Sequence, residues 1–183
     1  AEGYDFPEER FVMVEHGKAM EFGAFKVTML ETRHGPFMFF SNAQRGAPDA
    51  PNEIEEPLVP PQRLMAYLEG GSYAFHIEHP LGNVLVQPSA GYVEGQFDGY
   101  RADVVFAGIA RLGDQTHPYR ERYFREVVKV PGAKLFIPIH WDDYTKSLDY
   151  PLRPMRNLMD DFRDSMRFVQ KAVSENEGMP LVM

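Results

Sequence analysis

Ala102-Asp103-Val104-Val105-Phe106-Ala107-Gly108-Ile109 and, after one amphipathic stretch, Leu135-Phe136-Ile137-Pro138-Ile139 are the two runs whose reading decides the fold. Each is a short apolar segment bounded by turn residues, the pattern of a buried strand. Between them, Tyr119, Tyr123, Phe124, Val127 and Val128 fall on one helical face. Gly113 to Pro118 supplies the helix start, with Thr116 or His117 at the cap and Pro118 at the first helical position. Pro131-Gly132 ends it. Strand, helix and strand in that order form a βαβ unit, so the two strands are expected to be parallel and the chain to be α/β.

The second run ends at once in His140-Trp141-Asp142-Asp143. Strand ends are where layered α/β folds hold ligands and metals, so His140 is a candidate metal ligand. The simpler alternative is a strand-end histidine hydrogen-bonded to a neighbour.

Upstream, Phe11 to Glu15 reads as a short strand, and Glu21 to Ala24 as a turn leading into a strand over Phe25 to Arg33. That strand also finishes in a histidine, His34, and Gly35-Pro36 forces a loop after it. Residues 41–62 carry Pro48, Pro51, Pro57, Pro60 and Pro61, a density that no helix or central strand survives. This long loop is either a lid or a plain exposed excursion. Leu64 to Glu69 is a further short strand candidate. Ser72 to Glu78 and Asn83 to Gln87 flank a Leu81-Gly82-Asn83 turn, which reads as a β-hairpin. His76 and His79 on it fall on opposite faces and are expected at the surface. Pro88-Ser89-Ala90-Gly91 ends the hairpin in small residues, presenting Ser89 at a third strand end. Met155, Leu158, Met159, Phe162, Met166, Val169 and Val173 repeat at three- and four-residue steps, predicting a closing helix of about five turns.

Composition narrows the chemistry. A chain of 183 residues with 44% hydrophobic and 25% charged content fits one globular domain. No apolar run approaches the ~18–20 residues of a membrane span. A net charge of −8 without a basic run makes nucleic acid an unexpected partner; a small-molecule substrate is expected. Cysteine is absent, which excludes disulfides and thiolate ligands and leaves the compartment open. Any metal must then rest on His, Asp or Glu, which suits zinc, manganese or iron.

The order His34, hairpin, strand-end turn, βαβ, His140 resembles the C-terminal half of the metallo-β-lactamase fold. The resemblance is carried by Asn83 to Gly91, Ala102 to Phe106 and Lys134 to Asp143, and it extends over nearly the whole chain. It implies one domain over residues 1–183, half of an αββα sandwich, with a mixed sheet and helices on its outer face. It implies a metal-dependent hydrolase acting on an ester, amide or phosphodiester-type bond with one or two ions of zinc, or of manganese or iron. His34 takes the place of the family's third metal motif and His140 of its fifth. Gln87-Pro88-Ser89 takes the place of the turn that usually brings a bridging Asp, so Ser89 stands at that position. Asp142 or Asp143 would accept the other imidazole N–H of a ligand, Trp141 would wall the pocket, and the 41–62 loop would lie over it.

The chain departs from the family in lacking the His-x-His-x-Asp-His loop, since none of its six histidines are spaced two apart. Two histidines fall short of the three or four protein ligands that zinc takes. The expectation is that an N-terminal part of the same fold, in the same gene product or as an associated fragment, supplies the rest. The first residue being Ala1 and not Met agrees with this. The alternative is a non-catalytic binding or structural domain of that fold.

Overall fold

A computed structural model of the chain describes residues 7–36, 56–63, 66–67, 71–156, 160–176 and 179–182. The fold is α/β. Six strands form one mixed sheet whose spatial order follows the sequence: β1 (Ala19–Phe22), β2 (Phe25–Thr32), β3 (Ser72–Glu78), β4 (Val84–Gln87), β5 (Val104–Gly108) and β6 (Leu135–Ile139). β1 to β4 pair antiparallel, and β4, β5 and β6 pair parallel. Helix α1 (His117–Phe124) joins β5 to β6 as the βαβ pattern predicts, and α2 (Phe162–Ser174) closes the chain.

Alternation along the strands gives the sheet two faces. On one, His76, Leu85, Val105 and Phe136 lie in register across four strands and are buried, as are Leu30 and Ala74 in the next rank. Tyr123, Phe124 and Val127 from the first helical segment and Met166, Val169 and Val173 from α2 join them in a single core. The Phe124 ring stacks on Phe136 at 6.0 Å and meets Phe168 of α2 edge-on at 6.4 Å. On the other face, Val27, Ile77, Val84, Val104 and Leu135 form one rank across β2 to β6, and Met29, Phe75, Val86, Phe106 and Ile137 form the next. Every residue in those two ranks is apolar and only half-buried. Both helices lie on the opposite side.

Several expectations need correction. Residues 11–15 form no strand; Phe11, Val12 and Met13 stay exposed, and the strand forms later, at Ala19–Phe22. What decides this is pairing: Met20 sits opposite Val27 and Phe22 opposite Phe25, with Gly23 at φ +62° turning the hairpin between them. His76 is not a surface residue. It is 3% exposed, its Nε2–H donates to Arg101 O at 2.7 Å, and its ring meets Tyr100 edge-on. The reason is that its face of β3 lies under the helices, while Phe75 and Ile77 take the other, half-buried side. The closing helix begins at Phe162, where Asp161 caps it by accepting the Asp164 N–H at 3.1 Å. The apolar spacing therefore outruns the helix, and Met155 belongs to the loop before it. The first helix runs as far as its apolar face and Pro131-Gly132 predict. It continues through a π turn, Arg125–Lys129, marked by Val130 N–H bonding Arg125 O at 2.9 Å. Of the 41–62 loop, residues 41–55 lie outside the described residues, and 56–62 carry neither helix nor strand. The 64–69 strand candidate also lies largely outside them.

Candidate functional site

Three strand ends converge. β2, β4 and β6 deliver His34, Ser89 and His140, and all three line one cavity of about 250 Å³ together with Trp141 and Asp142. Every site residue expected from the sequence is therefore in one place. Asp143 is the exception among the alternatives weighed. Its Oδ1 accepts the Thr145 backbone N–H at 3.1 Å and the Thr145 hydroxyl at 2.6 Å, and these bonds hold its carboxyl below the usual range. It lines a separate groove with Lys146 and Arg153.

A buried glutamine holds two of the three strand ends together. Gln87, fully buried at the end of β4, donates from Nε2 to Gly91 O at 2.8 Å, to Ser89 O at 3.1 Å and to Thr32 Oγ1 at 3.3 Å. One side chain thus ties the small-residue turn to the end of β2. Gly35 N–H donates to Ser89 Oγ at 2.7 Å, adding a second tie. Gly91 has to be glycine: a Cβ there would collide with the Arg33 carbonyl and the backbone of His34. From the helix side, Tyr123 OH donates to Gly108 O at 2.7 Å and Tyr119 OH to Ala90 O at 3.0 Å. Burial pushes both phenols above their ordinary pKa, so they remain donors.

Both histidines are exposed, and they differ in backbone and in charge environment. His34 lies past the end of β2 and is exposed, with Nδ1 2.9 Å from Gly35 O. A carbonyl only accepts, so Nδ1 carries the hydrogen and the lone pair of the neutral ring lies on Nε2. His140 ends β6 at φ +55°, a left-handed backbone that a β-carbon disfavours. Desolvation against the cavity wall lowers its pKa, the nearby His34 lowers it further, and Asp142 works in the opposite sense. The imidazole is therefore neutral at neutral pH, the form that binds metals. Trp141 packs its ring 5.6 Å from Phe162 of α2, and Tyr144 sets its ring 6.0 Å from that of His140.

Sequence reasoning missed Asp160 and Arg111. Asp160 is 3% exposed and lines the cavity, with Oδ1 accepting the Arg111 N–H at 2.8 Å. Burial pushes its carboxyl up to about 6, with Asp114 adding to the rise. Arg111 sits at φ +59° and pairs with Asp114 at 2.8 Å. A signal for Asp160 existed: Asp160-Asp161 directly before Phe162 is helix-start chemistry, which places Asp160 in a loop and off the helix's polar face.

Among the described residues, no three His, Asp or Glu side chains come together as a metal-holding group. His34 and His140 alone do not make a metal site. No family model matches the chain, and no curated protein matches it.

Proposed function

We propose that the chain is one half of a metal-dependent hydrolase of the metallo-β-lactamase kind, with the remaining metal donors on polypeptide outside residues 1–183. The observation that carries this reading is the meeting of His34 and His140, from the ends of two strands, in a single cavity. Both rings suit ligation. His34 donates Nδ1–H to a backbone carbonyl and keeps Nε2 free, the tautomer that ligating histidines adopt, and His140 is held neutral. The two donors are too few for zinc, manganese or iron, so the reading requires partner donors. The second sheet face, apolar, half-buried and covered by no helix among the described residues, also supports a missing layer. Two ranks of apolar residues spanning five strands are what the inner face of a sandwich presents to its second sheet.

A bound ion would supply hydroxide at neutral pH and polarise the scissile oxygen of an ester, amide or phosphodiester-type bond. This chain's part is to hold and orient. Asp142, whose charge reaches His140, would accept the other N–H of that imidazole as a hydrogen bond and so orient it. Ser89 stands where a bridging carboxylate would be; its oxygen already accepts the Gly35 N–H, which leaves its hydroxyl hydrogen to donate. Trp141 walls the cavity and excludes water.

The test is metal analysis of the protein expressed with its natural upstream coding sequence and purified without chelator. That sequence is expected to encode a His-x-His-x-Asp-His run, and the protein to hold at least ~1 equivalent of zinc, iron or manganese. The double variant His34→Ala/His140→Ala is expected to lose most of it. Below ~0.2 equivalents, or with metal content unchanged in the variant, the hydrolase reading fails. A second reading, a non-catalytic binding or structural domain of the same fold, is favoured by Ser89 standing at the bridging position, since a neutral hydroxyl is a weak ligand. Metal-free protein that still pairs through its open sheet face is the outcome that selects it.

A further inference from the structure

We propose that Gln96 is a positioning residue for His34: acting through Thr32, it fixes where the end of β2 places that imidazole in the cavity. This deepens the hydrolase reading by naming what sets one of the two histidines in place, and it rests on that reading wherever a metal is concerned.

Three side chains behind the cavity close a ring of hydrogen bonds that all run in one direction. Gln87 Nε2 donates to Thr32 Oγ1 at 3.3 Å, the Thr32 hydroxyl donates to Gln96 Oε1 at 3.0 Å, and Gln96 Nε2 donates to Gln87 Oε1 at 3.5 Å. Such bonds polarise one another, and no member can turn without breaking two of them. Thr32 is the last residue of β2, is 6% exposed, and stands two positions before His34. Gln96 is the member that comes from outside the sheet. Its Oε1 also accepts the Val93 N–H at 2.6 Å, which ties it to its own turn. That turn is anchored from the helix side. Gly95, at φ +76°, donates its N–H to Glu126 Oε2 at 3.0 Å, and Phe97 is buried in the core. Glu126 is 2% exposed and lies in the π turn, where Arg125 pairs with it at 2.7 Å. A chain of contacts therefore runs from the π turn through Gly95 and Gln96 to Thr32. Three apolar side chains would fill the same space with no polar group to desolvate. What the ring adds is a single fixed geometry beside His34.

The experiment uses the protein expressed with its natural upstream coding sequence. Thr32→Val and Gln96→Met open the ring, Thr32→Ser keeps the hydroxyl, and Val169→Ala is a control that weakens the core elsewhere. With EDTA present, the ring protons of His34 and His140 are followed by NMR. Opening the ring is expected to shift the His34 signal more than that of His140, while Thr32→Ser and Val169→Ala shift neither. Metal-loaded protein is then read by competition with a chelator and by the visible spectrum of its cobalt(II) form. Opening the ring is expected to weaken the metal about fivefold or more and to change the cobalt spectrum. Thr32→Ser is expected to stay close to the parent, and Val169→Ala to bind metal normally although less stable. Gln96 is half-buried, so Gln96→Met carries the test should Thr32→Val fail to fold. The double variant Thr32→Val/Gln96→Met is expected to match the single variants, since either opens the same ring. An unmoved His34 signal overturns the proposal, as does metal affinity lost equally in Val169→Ala. A parent that holds no metal, with its His34 signal moved by the ring variants alone, leaves the proposal standing while the hydrolase reading falls. A metal-loaded parent whose affinity and cobalt spectrum ignore the ring does the reverse.

Discussion

Gly35 and Ser89 are joined by a 2.7 Å hydrogen bond from backbone N–H to side-chain Oγ, although 54 positions separate them in the chain. That bond fixes how far the His34 loop stands from the turn after β4. Ser89→Ala removes the acceptor and leaves a half-buried amide unmet. The expected cost is about 1 kcal/mol in the urea unfolding free energy, with the Gly35 amide exchanging faster and that of Val105 unaffected.

Gln87 carries a larger share of the same junction. Gln87→Leu removes an amide whose two hydrogens are shared among three acceptors inside a fully buried site; Gly91 O loses this donor, while Ser89 O keeps, among the described residues, only the longer contact with Tyr123 OH at 3.4 Å. A loss of roughly 2–4 kcal/mol is expected, read from the shift in the denaturation midpoint. A loss below about 0.5 kcal/mol would mean that water replaces the amide freely.

His140 holds a left-handed backbone that only glycine adopts without penalty. His140→Gly is therefore expected to stabilise the chain, by about 1 kcal/mol, in thermal or chemical unfolding. His140→Ala keeps the β-carbon and gains nothing. A histidine retained at a position that favours glycine is stability exchanged for chemistry.

Asp160 makes stability depend on pH in a predictable direction. Its folded carboxyl titrates at about 6 against an ordinary value of 3.8, so the folded state holds the proton more tightly than the unfolded one. Its contribution is favourable at low pH, is lost as pH rises from about 3.8 to about 6, and the full penalty applies above that range. Asp160→Asn mimics the neutral form. It is expected to be more stable than the parent by on the order of 2 kcal/mol at pH 7.5, with the two proteins converging near pH 4.

The two faces of the sheet should respond differently to charge. Val105→Lys puts an ammonium into the core and is expected to abolish folding. Phe106→Lys, one residue along on the open face, is expected to cost less than about 1.5 kcal/mol and to reduce binding of a hydrophobic dye such as ANS. If both variants unfold alike, the Phe106 face is not open.

The βαβ unit was legible because β5, α1 and β6 each carry one period cleanly, and short apolar runs between glycine and proline leave little choice of element. The strand ends that bring His34, Ser89 and His140 together were legible for the same reason: each run stops where a turn residue and a polar group coincide. What could not be read came from partners distant in sequence. Phe11 to Glu15 has the composition of a strand, but β2 pairs with Ala19–Phe22 instead. His76 alternates correctly, yet which face of β3 is buried depends on helices placed much later in the chain. Asp160 was hidden because the apolar spacing from Met155 continued through it, while the real helix start is a cap formed by Asp161.

Strand order in space and order along the chain coincide throughout this sheet. Each strand can therefore pair with the one synthesised just before it, without waiting for later sequence. β6 arrives last, and His140 follows directly on its last residue, Ile139. During synthesis the cavity is thus completed only at the end, after the Gln87 junction has already set the positions of His34 and Ser89. A chain ending before Leu135 would hold the segments of the first five strands but not His140, so the final strand is what completes the cavity.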